Sequence, residues 1–148
     1  MGRRLLDTSI LISCWRQAAR GELLNKSSED ARQWAKETEL LYGSRVIATP
    51  VVVEFLAGVM SSHELTLAEA FLAEFTVIDN GLIPREDWEG AKRVARWVQP
   101  GRISGGKRGR GGQVGARKRH LGDCLVRAIA NRFRLEVVSL DKGFPWGK

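Results

Sequence analysis

Cysteine is scarce in this chain: Cys14 and Cys124 are the only two in 148 residues. Two thiols cannot build the disulfide framework of a small secreted domain, and their spacing fits no zinc motif. Both read as core thiols of a cytosolic protein. Uninterrupted apolar runs of the roughly 20 residues that a membrane-spanning helix needs are also missing, so no membrane partner is expected. Asp7 breaks the apolar run behind Met1-Gly2-Arg3-Arg4, which reads against a signal peptide. No internal repeat is visible. With 43% hydrophobic residues, the chain reads as one domain, residues 1–148, with its own core.

The most telling shortage is of negative charge in one place. From Gly90 to Gly122 there is no Asp or Glu, yet ten Lys or Arg fall there. Removing those ten from the total of 24 leaves 14 basic residues against 17 acidic ones elsewhere. The net charge of +7 is therefore a mildly acidic body carrying one concentrated basic segment. That arrangement points to a polyanion, most simply nucleic acid, although a solvated basic loop without a partner has the same composition. Within the segment, residues 101–119 form a low-complexity, Gly-rich stretch that reads as a mobile loop unable to bury a core. Lys107, Arg108, Arg110, Arg117, Lys118 and Arg119 are its candidate RNA-binding residues.

The remaining chain alternates short apolar runs with helical patterns. Leu5-Leu6 begins a run suited to a strand buried on both faces, interrupted by Asp7 and followed by Thr8-Ser9 as capping or turn residues. Ser13 to Arg20 can run as a helix, stopped at Gly21. Ser27-Ser28-Glu29-Asp30 signals another, with Ala31, Trp34, Ala35, Thr38 and Leu41 at helical spacing. Val46-Ile47-Ala48 is a short strand, and Thr49-Pro50 reads as an N-cap with proline at the first helical position, placing Glu54 about one turn in. Ser61 and Glu64 form a capping-box pattern before Leu65, Ala68, Phe71, Leu72 and Phe75. Thr76 to Asp79 is a third strand closed by Asn80-Gly81, which assigns Asp79 to a turn. Pro84 opens a helix with Trp88, Ala91, Val94, Ala95 and Val98 on its apolar side, leaving Asp87 and Glu89 on the polar face. Asp123 opens the last helix, and Leu135 to Leu140 is the last strand, ending on Asp141. Four strands separated by helices predict an α/β chain, a three-layer α/β/α sandwich with a mainly parallel sheet.

In such sheets ligands bind outside the carboxyl ends of the strands. Asp7 follows the first strand, Glu54 the second, Asp141 the last, and Asp123 starts the helix leading into that last strand. All four can therefore meet at one rim. Four carboxylates together repel one another, so the grouping wants a cation; hard oxygen donors suit Mg²⁺ or Mn²⁺. Four separate caps and salt bridges are the plainer reading. Ser9 reads as a cap rather than a contact of the cation's water. His120 suits a phosphate contact and structural support equally.

Leu5-Leu6-Asp7-Thr8-Ser9, Thr49-Pro50-Val51-Val52-Val53-Glu54, His120-Leu121-Gly122-Asp123-Cys124-Leu125 and Val138-Ser139-Leu140-Asp141-Lys142-Gly143-Phe144 together resemble the PIN-domain ribonucleases, most of all VapC-type toxins of toxin–antitoxin pairs. The resemblance runs from Arg4 to Phe144, and it is carried by the order of the motifs rather than by any one of them. It implies a metal-dependent endoribonuclease in which Asp7, Glu54, Asp123 and Asp141 form the acidic quartet and Ser139 or Thr8 the supporting hydroxyl. It also implies a homodimer, and an antitoxin whose tail covers the groove. The basic stretch before His120 is longer than the family's usual connection. The sequence ends at Lys148, where many members continue into a further strand, so the sheet is expected to be short at that edge or completed by a neighbour.

Two other functions compete. A phosphotransfer protein would use one Asp at a strand end, but Ser9 stands where an aspartyl phosphatase needs its second Asp, and no acidic pair precedes Asp7. A non-catalytic RNA-binding adaptor would account for the basic loop and leave the four acids unexplained.

Overall fold

The computed structural model describes residues 3–97 and 120–145. Their elements, in order, are β1 (Arg4–Leu6), α1 (Thr8–Ala19), a 3₁₀ turn (Leu23–Asn25), α2 (Ser28–Tyr42), β2 (Val46–Ile47), α3 (Thr49–Ala57), α4 (Ser62–Leu72), β3 (Thr76–Val77), α5 (Arg85–Arg96), α6 (Leu121–Phe133) and β4 (Glu136–Val138). The strands form one sheet in the order β3-β2-β1-β4, every neighbouring pair parallel. The fold is the expected α/β, three-layer arrangement. From β1 the chain steps outward to β2 and β3, then crosses back to place β4 on the other side of β1. Right-handed crossovers send the helices of these two excursions to opposite faces. The order therefore reverses between β1 and β4, and the carboxyl ends of those two strands make the switch point where such sheets bind ligands. Among the described residues β4 is an edge strand.

Local chemistry explains most boundaries. The first helix begins at Thr8, well before the expected Ser13, because Ile10, Leu11 and Trp15 bury one helical face as soon as the three-residue strand ends. Ser27 and Asp30 close a full capping box at the start of α2. Gly43 ends that helix at φ 70°, a conformation glycine adopts without strain. Ala48, one residue earlier than expected, is the N-cap of α3. Its missing side-chain cap is replaced from a distance: Asp79 Oδ1 accepts from Thr49 N and Thr49 Oγ1, both at 2.9 Å. Asp79 thus does more than fill a turn. It is 4% exposed and fastens the β3–α5 turn to the helix that carries Glu54.

The main core lies under α1 to α4. Trp15 meets Trp34, Phe55 and Phe71 edge-on, with centroids 5.3, 5.3 and 5.1 Å apart. Each such contact adds about 0.5–1.5 kcal/mol beyond the area buried. Phe55 is the anchor of α3, so its neighbour Glu54 is turned to the outer side of the helix. A second, smaller cluster of Ala91, Val94, Cys124, Leu125 and Ala128 joins α5 to α6.

Five expectations on helix faces are corrected. Leu41 is 70% exposed, Trp88 45% and Leu65 40%, and Ala95 is exposed as well. Asp87, expected on the polar face of α5, is buried and receives Arg132 Nε at 2.7 Å and Nη2 at 2.8 Å. The three errors on α5 have one cause. The face presented to α6 is Asp87, Gly90, Ala91 and Val94, and a salt bridge with a small residue beside it lets the helices approach closely where a tryptophan would not fit. The expected RNA-binding residues Lys107, Arg108, Arg110, Arg117, Lys118 and Arg119, and Val98 of the expected α5 face, lie outside the described residues.

Candidate metal centre

Asp7 stands at the carboxyl end of β1 and is only 3% exposed. Its backbone N–H completes the sheet by donating to Val138 O at 3.0 Å. Although Asp7 occupies the N-cap position of α1, its side chain does not cap that helix. Oδ2 instead accepts from Ser139 Oγ at 2.7 Å and from Ser9 Oγ at 3.2 Å. Those two hydroxyls are held by backbone amides, Asp141 N on Ser139 Oγ at 3.0 Å and Leu140 N on Ser9 Oγ at 2.9 Å. Each hydroxyl thus accepts from the strand-end backbone, and the two lie 3.2 Å from one another, so Asp7 Oδ2 meets a small hydroxyl network. Ser139, named with Thr8 as the supporting hydroxyl that the resemblance implies, is thus a donor to Asp7. Ser9 was read as a cap, and the structure corrects this: it is the second donor to Asp7.

Glu54 reaches the site from α3. Its Oε1 accepts from Thr8 Oγ1 at 2.6 Å, so the first residue of α1 orients the acid of another helix. Asp123 comes from the first turn of α6. Asp7, Glu54 and Asp123 each offer a carboxylate oxygen, and these three atoms lie within 4.8 Å of one another. Asp141 lines the same open pocket, of about 460 Å³, with Ile12, Ala57 and His120. Its Oδ1 accepts from Gly143 N at 2.8 Å, and it lies outside the close group of three. Of the four acids expected together, the structure gathers three tightly and sets the fourth at the pocket wall.

The electrostatics follow from this crowding. Burial, then the charges of Asp7, Glu54 and Asp141, push the Asp123 carboxyl from its ordinary 3.8 up to about 6, while His120 opposes the shift. The second oxygen of Asp7, Oδ1, is buried without a hydrogen-bond partner. An ionised oxygen so placed is costly unless something outside the protein's own donors satisfies it.

Three carboxylates, one of which keeps a buried oxygen without a partner, and a pocket with room for water and a phosphate fit a divalent cation. Asp7, Glu54 and Asp123 would hold it. The bond from Ser9 to Asp7 is local, two residues apart, but the Leu140 amide that holds the Ser9 hydroxyl arrives only with β4, which is why spacing alone read Ser9 as a cap. Among the described residues no helix is long and apolar enough to cross a membrane. Compared with family models, with curated proteins and with solved structures, the chain matches none of them.

Proposed function

We propose that the protein is a metal-dependent endoribonuclease of the PIN-domain type, acting on RNA with Mg²⁺ or Mn²⁺. The observation that carries this reading is the group formed by Asp7, Glu54 and Asp123, in which Asp7 Oδ2 is saturated by two hydroxyls while Oδ1 has no partner. The chemistry that a bound cation supplies is Lewis acidity toward a phosphoryl oxygen and a hydrolytic nucleophile at neutral pH. The protein's part is positional. Ser9 and Ser139 fix the Asp7 carboxylate, Thr8 fixes Glu54, and the closely spaced negative charges create the demand for a cation. Asp141 adds negative charge at the pocket wall, a place suited to a second cation or to water held beside the first. All three members of the close group are carboxylates, and the chemistry that a cation on such a set supplies is activation of water. On this reading water is the attacking group, and the products carry 5′-phosphate and 3′-hydroxyl ends. The basic run from Lys92 to Arg119 supports a polyanionic substrate.

On the same reading, resting on the motif resemblance, the protein is the cytoplasmic toxin of a toxin–antitoxin pair, working as a homodimer and silenced by a cognate antitoxin. The test is cleavage of an RNA panel in EDTA, Mg²⁺ and Mn²⁺, with an Asp7→Asn/Asp123→Asn variant as control. Metal-dependent cleavage that the variant lacks, with 5′-phosphate ends, is expected. RNA binding without cleavage in either metal would leave an adaptor instead.

A further inference from the structure

Gly122 is a poor choice for its place. It sits in the first turn of α6, a thirteen-residue helix, with no left-handed φ that would call for glycine. Alanine is the better helix former at such a position. Its surroundings give the reason. A Cβ built on Gly122 would stand 2.7 Å from Oε2 of Glu54, 3.0 Å from its carboxyl carbon and 3.4 Å from Oε1. The first of these is closer than packed atoms come, so the Glu54 carboxylate closes against bare backbone. On its other side the same carboxylate accepts from Thr8 at 2.6 Å. Glu54 is thus held between a hydroxyl of α1 and the missing side chain of α6, immediately before Asp123.

Gly90, on α5, makes the contrast. A Cβ there would meet the Cβ of Ala128 at 3.1 Å, and relief would require two packed helices to separate. At Gly122 the obstacle is the end of a flexible side chain, so the fold can absorb a methyl group and the carboxylate cannot stay where it is.

We propose that Gly122 is a positioning residue for Glu54: by lacking a side chain it lets the carboxylate from α3 reach Asp7 and Asp123 as a metal ligand. This rests on the metal-site reading above. It makes an unusual demand, because stability and metal affinity should move in opposite directions on one substitution.

The experiment compares wild type, Gly122→Ala, Glu54→Gln and the double variant by Mn²⁺ titration calorimetry, with thermal unfolding in EDTA. Gly122→Ala should bind Mn²⁺ about tenfold or more weakly, the usual cost of disturbing a ligand's support. Its melting temperature in EDTA should stay level or rise by up to about 4 °C, from the gain in helix propensity. In the Glu54→Gln background the same substitution should change Mn²⁺ affinity no further, since its effect passes through Glu54. Wild-type affinity in Gly122→Ala, additive losses in the double variant, or a melting temperature lowered by several degrees would each overturn the proposal while leaving the metal site standing. A wild type that binds no Mn²⁺ would overturn the metal-site reading and the positioning role together.

Discussion

Ser139 lies 132 positions after Asp7, yet its hydroxyl donates to Asp7 Oδ2 across 2.7 Å. The contact joins the ends of β1 and β4, the two strands between which the sheet order reverses. A carboxylate at that switch point cannot be left to find its own orientation, because any ligand must be met by the other oxygen. Removing the hydroxyl should therefore affect binding more than folding. Ser139→Ala is expected to weaken Mn²⁺ binding by about 10–100-fold. It should lower unfolding free energy by only about 1.5–3 kcal/mol, the usual cost of a lost hydrogen bond to a charged group. Calorimetric titration beside urea denaturation measures both. A large loss of stability with undiminished affinity would mean that Ser139 serves the sheet alone.

Asp123 sets the pH dependence. Its pKa rises from 3.8 in the unfolded chain to about 6 in the fold. Between those values the folded state binds more protons than the unfolded one, so metal-free stability falls as pH rises from about 4 to about 6. Asp123→Asn removes the charge. In EDTA it should melt at a higher temperature than wild type above pH 6.5, and at the same temperature near pH 3.5, where wild-type Asp123 is itself neutral. Metal binding has the opposite dependence, because the cation needs the ionised carboxylate. Mn²⁺ affinity of the wild type should climb up to about tenfold per pH unit below pH 6 and level off above it. Calorimetry from pH 5 to 7.5 would reveal a flat profile, and with it an error in this account of Asp123.

The ion pair of buried Asp87 and half-buried Arg132 lies on α5 and α6, away from the acid pocket. Asp87 is 1% exposed, and its hydrogen bonds raise the Arg132 pKa still further above the ordinary arginine value. Arg132→Ala leaves a buried carboxylate without its partner and should cost about 3–5 kcal/mol by chemical denaturation. Asp87→Leu/Arg132→Met should recover most of that loss, since an apolar pair of similar size needs no desolvation of charge. Mn²⁺ affinity of the folded double variant should match wild type. A double variant as unstable as Arg132→Ala would show that the pair is held for reasons other than charge.

These residues also mark how far the sequence could be read. The fold class was legible because parallel strands between helices impose short apolar runs and capping signals, as at Ser27 and Ser61. Asp7, Glu54 and Asp123 were legible because each stands at a strand end or in the first turns of a helix, and one sheet edge collects those places. Asp87 was not, since a charged residue on a helix looks solvated until its partner, 45 positions away, is known. Gly122 escaped notice for a related reason. Glycine before a helical aspartate reads as a helix start, and the carboxylate it admits belongs to α3. Long-range pairs fixed by tertiary packing are the part that composition and spacing do not carry.

The last prediction concerns the basic segment, where charge alone carries the argument. Residues 101–119 hold Arg102, Lys107, Arg108, Arg110, Arg117, Lys118 and Arg119 among seven glycines, with no acid to neutralise them. Sequence is read by side chains held against base edges, whereas cations spaced by glycine contribute through phosphates. The segment is continuous in sequence, through His120, with the helix that bears Asp123. Each phosphate neutralised on a single strand contributes about 0.7 to the slope of log affinity against log salt. Replacing Lys107, Arg108 and Arg110 by Gln should therefore flatten that slope by roughly two, with weaker binding at low salt. Cleavage at saturating RNA should change little, because Asp7, Glu54 and Asp123 are untouched. Filter binding across a salt series and single-turnover cleavage separate the two effects. Unchanged affinity with lost turnover would mean that the segment serves the chemistry, and substrate capture would have to be sought elsewhere on the surface.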